Sequence, residues 1–237
     1  MLFRSEAGPR ILPMFSERQA ARAVGDLEKL GVQVWVGSRV TAIDARGVQV
    51  GAERIEATTV LWAAGVQASS LGRSLGWPID PQGRVRVRPD LTLPSDPRIF
   101  IAGDQALVAG TDGRAMPGTA PVAMQQGRYI GETIRHEVSG GTRTPFVFVD
   151  KGQMATIGRS RAIVEMKHLT LAGLPAWVMW LVVHIYYLTG FRNRALVVLQ
   201  WAWSYVTFAR GARLIVGTRP PSSDASPDRA SAAPRPQ

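Results

Sequence analysis

The sequence predicts an α/β fold joined to a basic, apolar C-terminal region, on three observations. A helical pattern at residues 19–30 is followed by short β-type runs. Two further apolar runs, 58–63 and 98–102, lead into glycine, as strands buried on both faces of a parallel sheet do. From residue 151 onward the acids nearly vanish while tryptophans accumulate.

Each element follows from local pattern. Residues 1–10 lack the apolar stretch of a signal peptide, and Gly8-Pro9 would break a helix there. Ala20, Ala23, Val24, Leu27 and Leu30 recur every three or four residues, one face of a helix, and Gly31 closes it. Residues 32–36, 39–43 and 47–50 read as short strands parted by Gly or Asp. The run 58–63, ending in Ala63-Ala64-Gly65, reads as a central strand. Residues 76–97, rich in Pro, Gly, Asp and Arg, read as a surface hairpin or loop with one alternating stretch, Val85-Arg86-Val87. The run 98–102 reads as a second buried strand, and Gly103-Asp104 follows at once. Pro117-Gly118 and Pro121 lead into a helix over 122–137 with proline in its first turn. Residues 154–157 and 162–166 form a strand pair around Gly158-Arg159.

Composition narrows the function. The chain has 237 residues, 46% of them hydrophobic, which is enough for a core and excludes a wholly disordered polypeptide. The absence of cysteine excludes disulfides, thiolate metal sites, Fe–S clusters and cysteine nucleophiles. The net charge of +10 is unevenly placed: residues 151–219 hold nine Lys/Arg against one acid, Glu165, and four of the seven tryptophans. Long aliphatic runs between those arginines suit an anionic membrane surface rather than nucleic acid. The stretch 171–189 carries no Asp, Glu, Lys or Arg and has the length of a membrane span, although Pro175, His184, Tyr186 and Tyr187 weaken that reading. Arg192/Arg194 and Arg210/Arg213 bracket a second apolar stretch, 195–209, and a Pro/Ser/Ala-rich tail follows.

Two places carry the pattern of a ligand site. In Ile99-Phe100-Ile101-Ala102-Gly103-Asp104 a strand ends in glycine, which lets a ligand approach the backbone, and in a carboxylate suited to a hydroxylated ligand. The plainer alternative is a turn with a helix-capping Asp. In residues 117–127 a helix beginning near Pro121 leaves the Val122 and Ala123 amides as a small positive pole, or is an ordinary proline-started helix. Gln125 and Gln126 face either a polar ligand or solvent. Lys151 reads as a turn lysine, and the three histidines lack metal-ligand spacing. Neither Gly-x-Gly-x-x-Gly nor a Walker loop occurs.

These segments in this order resemble the type II, non-proton-pumping NADH:quinone oxidoreductases, flavoenzymes with two dinucleotide-binding folds. The resemblance runs over about residues 6–217. It is carried by Gly8-Pro9-Arg10-Ile11-Leu12-Pro13, Leu61-Trp62-Ala63-Ala64-Gly65-Val66, 99–104 and 116–127, and most specifically by 150–161 (DKGQMATIGRSR), 177–194 and 201–215. It implies a partial tandem Rossmann-like, FAD/NAD(P)-binding fold with C-terminal amphipathic membrane-anchoring helices. Residues 1–70 would end an NADH-binding domain and 71–145 an FAD-binding domain; 146–217 would associate with the membrane and 218–237 form a disordered tail. Gly103 and Asp104 would hold the flavin ribityl and pyrophosphate region, Val122 and Ala123 would offer amides to the flavin ring, and Ala64-Gly65 would line the NADH channel. Gln125 and Lys151 would act at the flavin–quinone end. Members carry Ala-Gln where this chain has Ala120-Pro121, so one quinone-side glutamine is missing.

The resemblance further implies FAD as cofactor, NADH and quinone as substrates, and a monotopic position on the cytoplasmic face of a bacterial inner membrane, with a homodimer possible. Members carry two glycine fingerprints ahead of the first matching segment, and this chain has neither, the pattern of a C-terminal fragment inactive by itself. Two alternatives stay open: a non-catalytic membrane-binding fragment, or another quinone-linked flavoprotein such as a sulfide:quinone reductase. The absence of cysteine argues against the latter.

Overall fold

The computed structural model describes residues 1–110, 113–187 and 190–207. Two compact units divide the chain, Met1–Trp177 and Val178–Gln237.

The first unit opens with a β–α–β unit. Strands β1 (Leu2–Ser5) and β2 (Val32–Trp35) pair in parallel, Leu2 opposite Val32, with α1 (Glu17–Glu28) between them in sequence. A three-stranded antiparallel meander follows: β3 (Val40–Asp44), β4 (Gly47–Val50) and β5 (Glu53–Glu56). After the short helix α2 (Leu71–Ser74) come β6 (Val85–Arg86), β7 (Thr92–Leu93), β8 (Asp96–Phe100), a 3-10 turn at Gly103–Gln105, and β9 (Ala106–Leu107). Helix α3 (Ala120–Val138) has proline in its first turn, as its sequence requires. Strands β10 (Gln153–Gly158), β11 (Arg161–Met166) and β12 (Leu169–Gly173) form an antiparallel sheet.

Helix α1 seals one side of that last sheet. Ile11, Phe15, Ala23 and Ile163 make a buried cluster. The buried Gln19 amide donates to the Val164 carbonyl at 3.1 Å and the Leu171 carbonyl at 2.9 Å, satisfying backbone that faces the helix. Glu165, the lone acid of the basic stretch, accepts from the Ser16 amide at 2.8 Å and neutralises the start of α1.

Three expectations need correction. The run 58–63 forms no strand: Leu61 is 89% and Trp62 64% exposed. Apolar character makes a central strand only when neighbouring strands supply hydrogen bonds and cover, and no described strand lies beside this run. The second buried strand is β8, which pairs antiparallel with β7 and is mostly half-exposed; only Ile101 beyond it is buried. The segment 76–97 does begin a hairpin, β7–β8, but it is not confined to the surface. Val85, Leu91 and Leu93 are buried, Val85 and Leu93 with Ile101 and Ala106, while Leu91 joins Val108, Met116, Val122 and Phe146 beneath α3. Its Pro, Gly and charged residues sit at turns between inward-facing side chains.

The charge-free stretch 171–189 begins as β12 and then becomes α4 (Leu174–Tyr187). Gly173, at φ 72°, makes the change of direction. Among the described residues no helix is long and apolar enough to cross a membrane. In the second unit, α4 and α5 (Phe191–Thr207) touch through Trp180 and Trp201, stacked with ring centres 5.8 Å apart. Arg194 lies over the Tyr186 ring. Helix α4 is apolar around its whole circumference rather than two-faced, with Leu174, Val178, Val182 and Tyr186 exposed along one stripe of four-residue spacing. Arg210, Arg213 and the tail at 218–237 lie outside the described residues.

Candidate functional site

The geometry is built at the end of β8. Ile101 anchors the chain in the core, Ala102 stays extended, and Gly103 turns left-handed at φ 66°, a conformation that favours glycine. A Cβ there would make only ordinary contact with the Ala123 Cβ, at 3.5 Å, so the backbone angle and not space selects glycine. The Gly103 amide donates to Oε1 of Gln126 at 2.6 Å, and Gln126 is 1% exposed on α3. Asp104 is exposed, and among the described residues its carboxylate accepts no hydrogen bond, so it does not serve as a helix cap. Pro117-Gly118 passes close by: a Cβ on Gly118 would come within 3.3 Å of Asp104 Oδ1.

The start of α3 lies against the same turn. Val122 plants its side chain in the core, while its amide has no acceptor among the described residues. The Ala123 amide donates to the Thr119 carbonyl at 3.1 Å as the first bond of the helix. Of the two amides singled out in the sequence, one is therefore taken up by the helix and the other is free. Gln125 also has a partner. Its Nε2 donates to the Val149 carbonyl at 2.9 Å and its Oε1 accepts from the Val149 amide at 3.0 Å, pinning the segment that leads to Lys151. Lys151 is exposed at the tip of a tight turn, where Asp150 accepts from the Gly152 amide at 2.8 Å. Gly152 has φ 88°, and a Cβ on it would sit 2.4 Å from the Glu165 carbonyl oxygen, so no other residue fits.

Thus Gly103, Asp104, Val122 and Ala123 come together, and Gln125 joins Lys151 to the same helix through Val149. Ala64 and Gly65 are exposed on a segment without regular structure; farther along it, Gln105 donates to the Ser69 carbonyl at 3.4 Å. The sequence offers Gln126 either to a polar ligand or to solvent, and the structure buries it; the signal for this is that Val122, Gln126 and Thr133 share one face of α3 at spacings of four and seven.

At the far end of α3, Arg143 forms a bracket. It donates to Glu137 at 2.7 and 2.9 Å, to Asp90 at 3.4 Å and to the Pro97 carbonyl at 2.9 Å, and lies over the Phe100 ring. The hydrogen bond from Arg143 holds the Glu137 carboxyl below its ordinary value. Burial pushes Asp90 up, but hydrogen bonds from Thr92 and Arg143 outweigh it, and the net shift is downward.

The residues at the turn fit part of FAD. The Asp104 carboxylate and the Val122 amide, neither with a hydrogen-bond partner among the described residues, and the glycine backbone supply the acceptor and donor that a polyol–phosphate chain needs. The glycine-rich cradle for a dinucleotide pyrophosphate is not among the 237 residues.

The family model for pyridine nucleotide-disulphide oxidoreductases matches residues 5–127, just over half of the chain. The chain belongs to that family. The NDH2 C-terminal domain matches residues 151–210. Within the family the chain's relatives are type II NADH:quinone oxidoreductases, as the resemblance implied. It is 38% identical over 218 residues to the enzyme Ndh of Mycobacterium tuberculosis, covering 87% of this chain and 46% of that protein. It is 39% identical over 224 residues to NdhA of the same organism, covering 89% and 47%. The chain therefore spans about half the length of these relatives. Among solved structures, NDH2 of Plasmodium falciparum in complex with NADH aligns with a TM-score of 0.74 at 15% identity, over 85% of this chain and 57% of that one, a likeness of fold alone. An FAD-dependent pyridine nucleotide-disulphide oxidoreductase of Desulfovibrio vulgaris aligns at 0.55 and 25% identity, over 68% and 41%.

Proposed function

We propose that this chain provides the flavin-side and membrane-side parts of an FAD-dependent, non-electrogenic NADH:quinone oxidoreductase. The observation that carries the reading is the Gly103-Asp104 turn: among the described residues its carboxylate has no hydrogen-bond partner, and it is held against the start of α3 in a chain 38% identical to a type II NADH:quinone oxidoreductase. When bound, FAD would supply the two-electron chemistry linking NADH oxidation to quinone reduction.

The chain's own residues act around it. Asp104 accepts hydrogen bonds from ribityl or ribose hydroxyls, and Gly103 lets that chain approach the backbone. The Val122 amide, at the positive end of α3, donates to a flavin ring carbonyl, and Ala123 lines the approach. Gln125, through Val149, fixes where Lys151 stands, and Lys151 places positive charge at the quinone end. Ala64-Gly65 lines the NADH path. On this reading residues 1–70 belong with the NADH side and 71–145 with the FAD side, while 146–217 meet the membrane and 218–237 trail from it.

The exposed apolar stripe of α4, the tryptophans of α5 and Arg192/Arg194 support a monotopic seat in an anionic leaflet, which the reading assigns to the cytoplasmic face of a bacterial membrane. The same surface would serve a homodimer.

Fluorescence titration of the purified chain with FAD tests the proposal. Saturable one-to-one uptake is expected, weaker than in an enzyme that carries both glycine fingerprints. A chain that pellets with anionic liposomes yet takes up no FAD is a membrane-binding fragment, and the proposal fails.

A further inference from the structure

Gln126 is the most deeply buried uncharged polar side chain of α3, and none of the roles above uses it directly. Its Oε1 accepts from the Gly103 amide at 2.6 Å, across 23 residues of sequence. Gly103 is the residue at which the backbone turns left-handed, and Asp104, next in the chain, carries a carboxylate that accepts no hydrogen bond among the described residues. Without this acceptor the Gly103 amide would face the underside of α3 unsatisfied, at a cost that the turn relieves by rotating. Rotation at Gly103 swings Asp104 away from Gly118 and the start of the helix.

We propose that Gln126 is the positioning residue of the ligand-binding turn. It holds the Gly103-Asp104 backbone in the form that receives the hydroxyls and phosphate of a dinucleotide, and it does so from inside the protein without touching the ligand. The role rests on the flavin reading of this turn. The Gly103 amide asks for an acceptor at this point: a carboxylate oxygen supplies one, whereas a thioether of the same length is only a weak acceptor. Arg143 already bridges Glu137 of α3 to Asp90, and Tyr129 of α3 donates to the Thr144 carbonyl, so loss of the Gln126 bond frees the turn without freeing the helix.

The test pairs two substitutions in the full chain, Gln126→Met and Gln126→Glu, with three readouts: helix content by circular dichroism, hydrogen exchange of the Gly103 amide by NMR, and FAD titration. In Gln126→Met, Gly103 exchange speeds up and FAD affinity falls, each by about tenfold, the change that one lost hydrogen bond gives, with helix content kept. Gln126→Glu returns both to within about threefold of the unsubstituted chain. Unchanged Gly103 exchange in Gln126→Met overturns the positioning role. So does fast exchange with unaltered FAD affinity, or a failure of Gln126→Glu to rescue. Slow Gly103 exchange in an unsubstituted chain that takes up no FAD overturns the flavin reading instead, and the role with it.

Discussion

Gln125 and Gln126 stand side by side on α3 yet serve opposite neighbours, one the Val149 backbone and the other the Gly103 amide. Consecutive helix positions point about 100° apart, so the two adjacent glutamines reach different neighbours. The sequence made Gly103-Asp104 legible, because a strand ending in glycine and a carboxylate is a local pattern. It could not show which amide oxygen meets Gly103, since that pairing depends on how α3 packs. Nor could it show that the Ala123 amide is used by the helix while the Val122 amide is not. Leu91 carries a different burden. It is fully buried under α3 and held at φ 64°, a conformation uncommon for a bulky side chain. Leu91→Ala is expected to destabilise the chain by about 2–5 kcal/mol in urea unfolding, with the cavity opening beneath Val122.

Among the elements, α3 is clamped at both ends, by the glutamines near its start and by Arg143 at its finish. Arg143→Met removes bonds to Glu137, Asp90 and the Pro97 carbonyl together, and is expected to lower the thermal midpoint at pH 7 by about 4 °C. Glu137 and Asp90 are both held below their ordinary values in the folded protein. Their contribution is therefore present above the ordinary carboxylate range and lost as pH falls through the lowered values. Melts of the two proteins should converge below about pH 4, and a gap of constant size down to pH 2 would show that the carboxylates are not its source. Helices were the better-read elements, since α1 and α3 follow from periodicity and punctuation. The short strands β1, β5, β7, β9 and β12 carry no such signal, and the apolar run 58–63 suggests a strand it does not form. An apolar run does not announce whether a partner strand lies beside it.

At the scale of the whole molecule, charge and apolar surface point the same way. The basic C-terminal third places Arg192 and Arg194 at the start of a helix whose exposed face carries Trp203 and Leu199. Charge reversal at Arg192, Arg194, Arg210 and Arg213 is expected to weaken sedimentation with anionic vesicles by about 1 kcal/mol per residue, and high salt should weaken it likewise. Binding indifferent to both would mean that the apolar face alone provides the attachment. The α/β class was readable from the sequence; the break of the apolar stretch into β12 and α4 was not, because hydropathy gives length but not the turn at Gly173. The central claim is that the turn at the end of β8 receives FAD. The most direct measurement is FAD titration of the chain against its Asp104→Ala variant, followed by flavin fluorescence. The account predicts saturable binding by the unsubstituted chain and an affinity about tenfold weaker in the variant. Equal affinity in the two proteins, or no uptake by either, would contradict it.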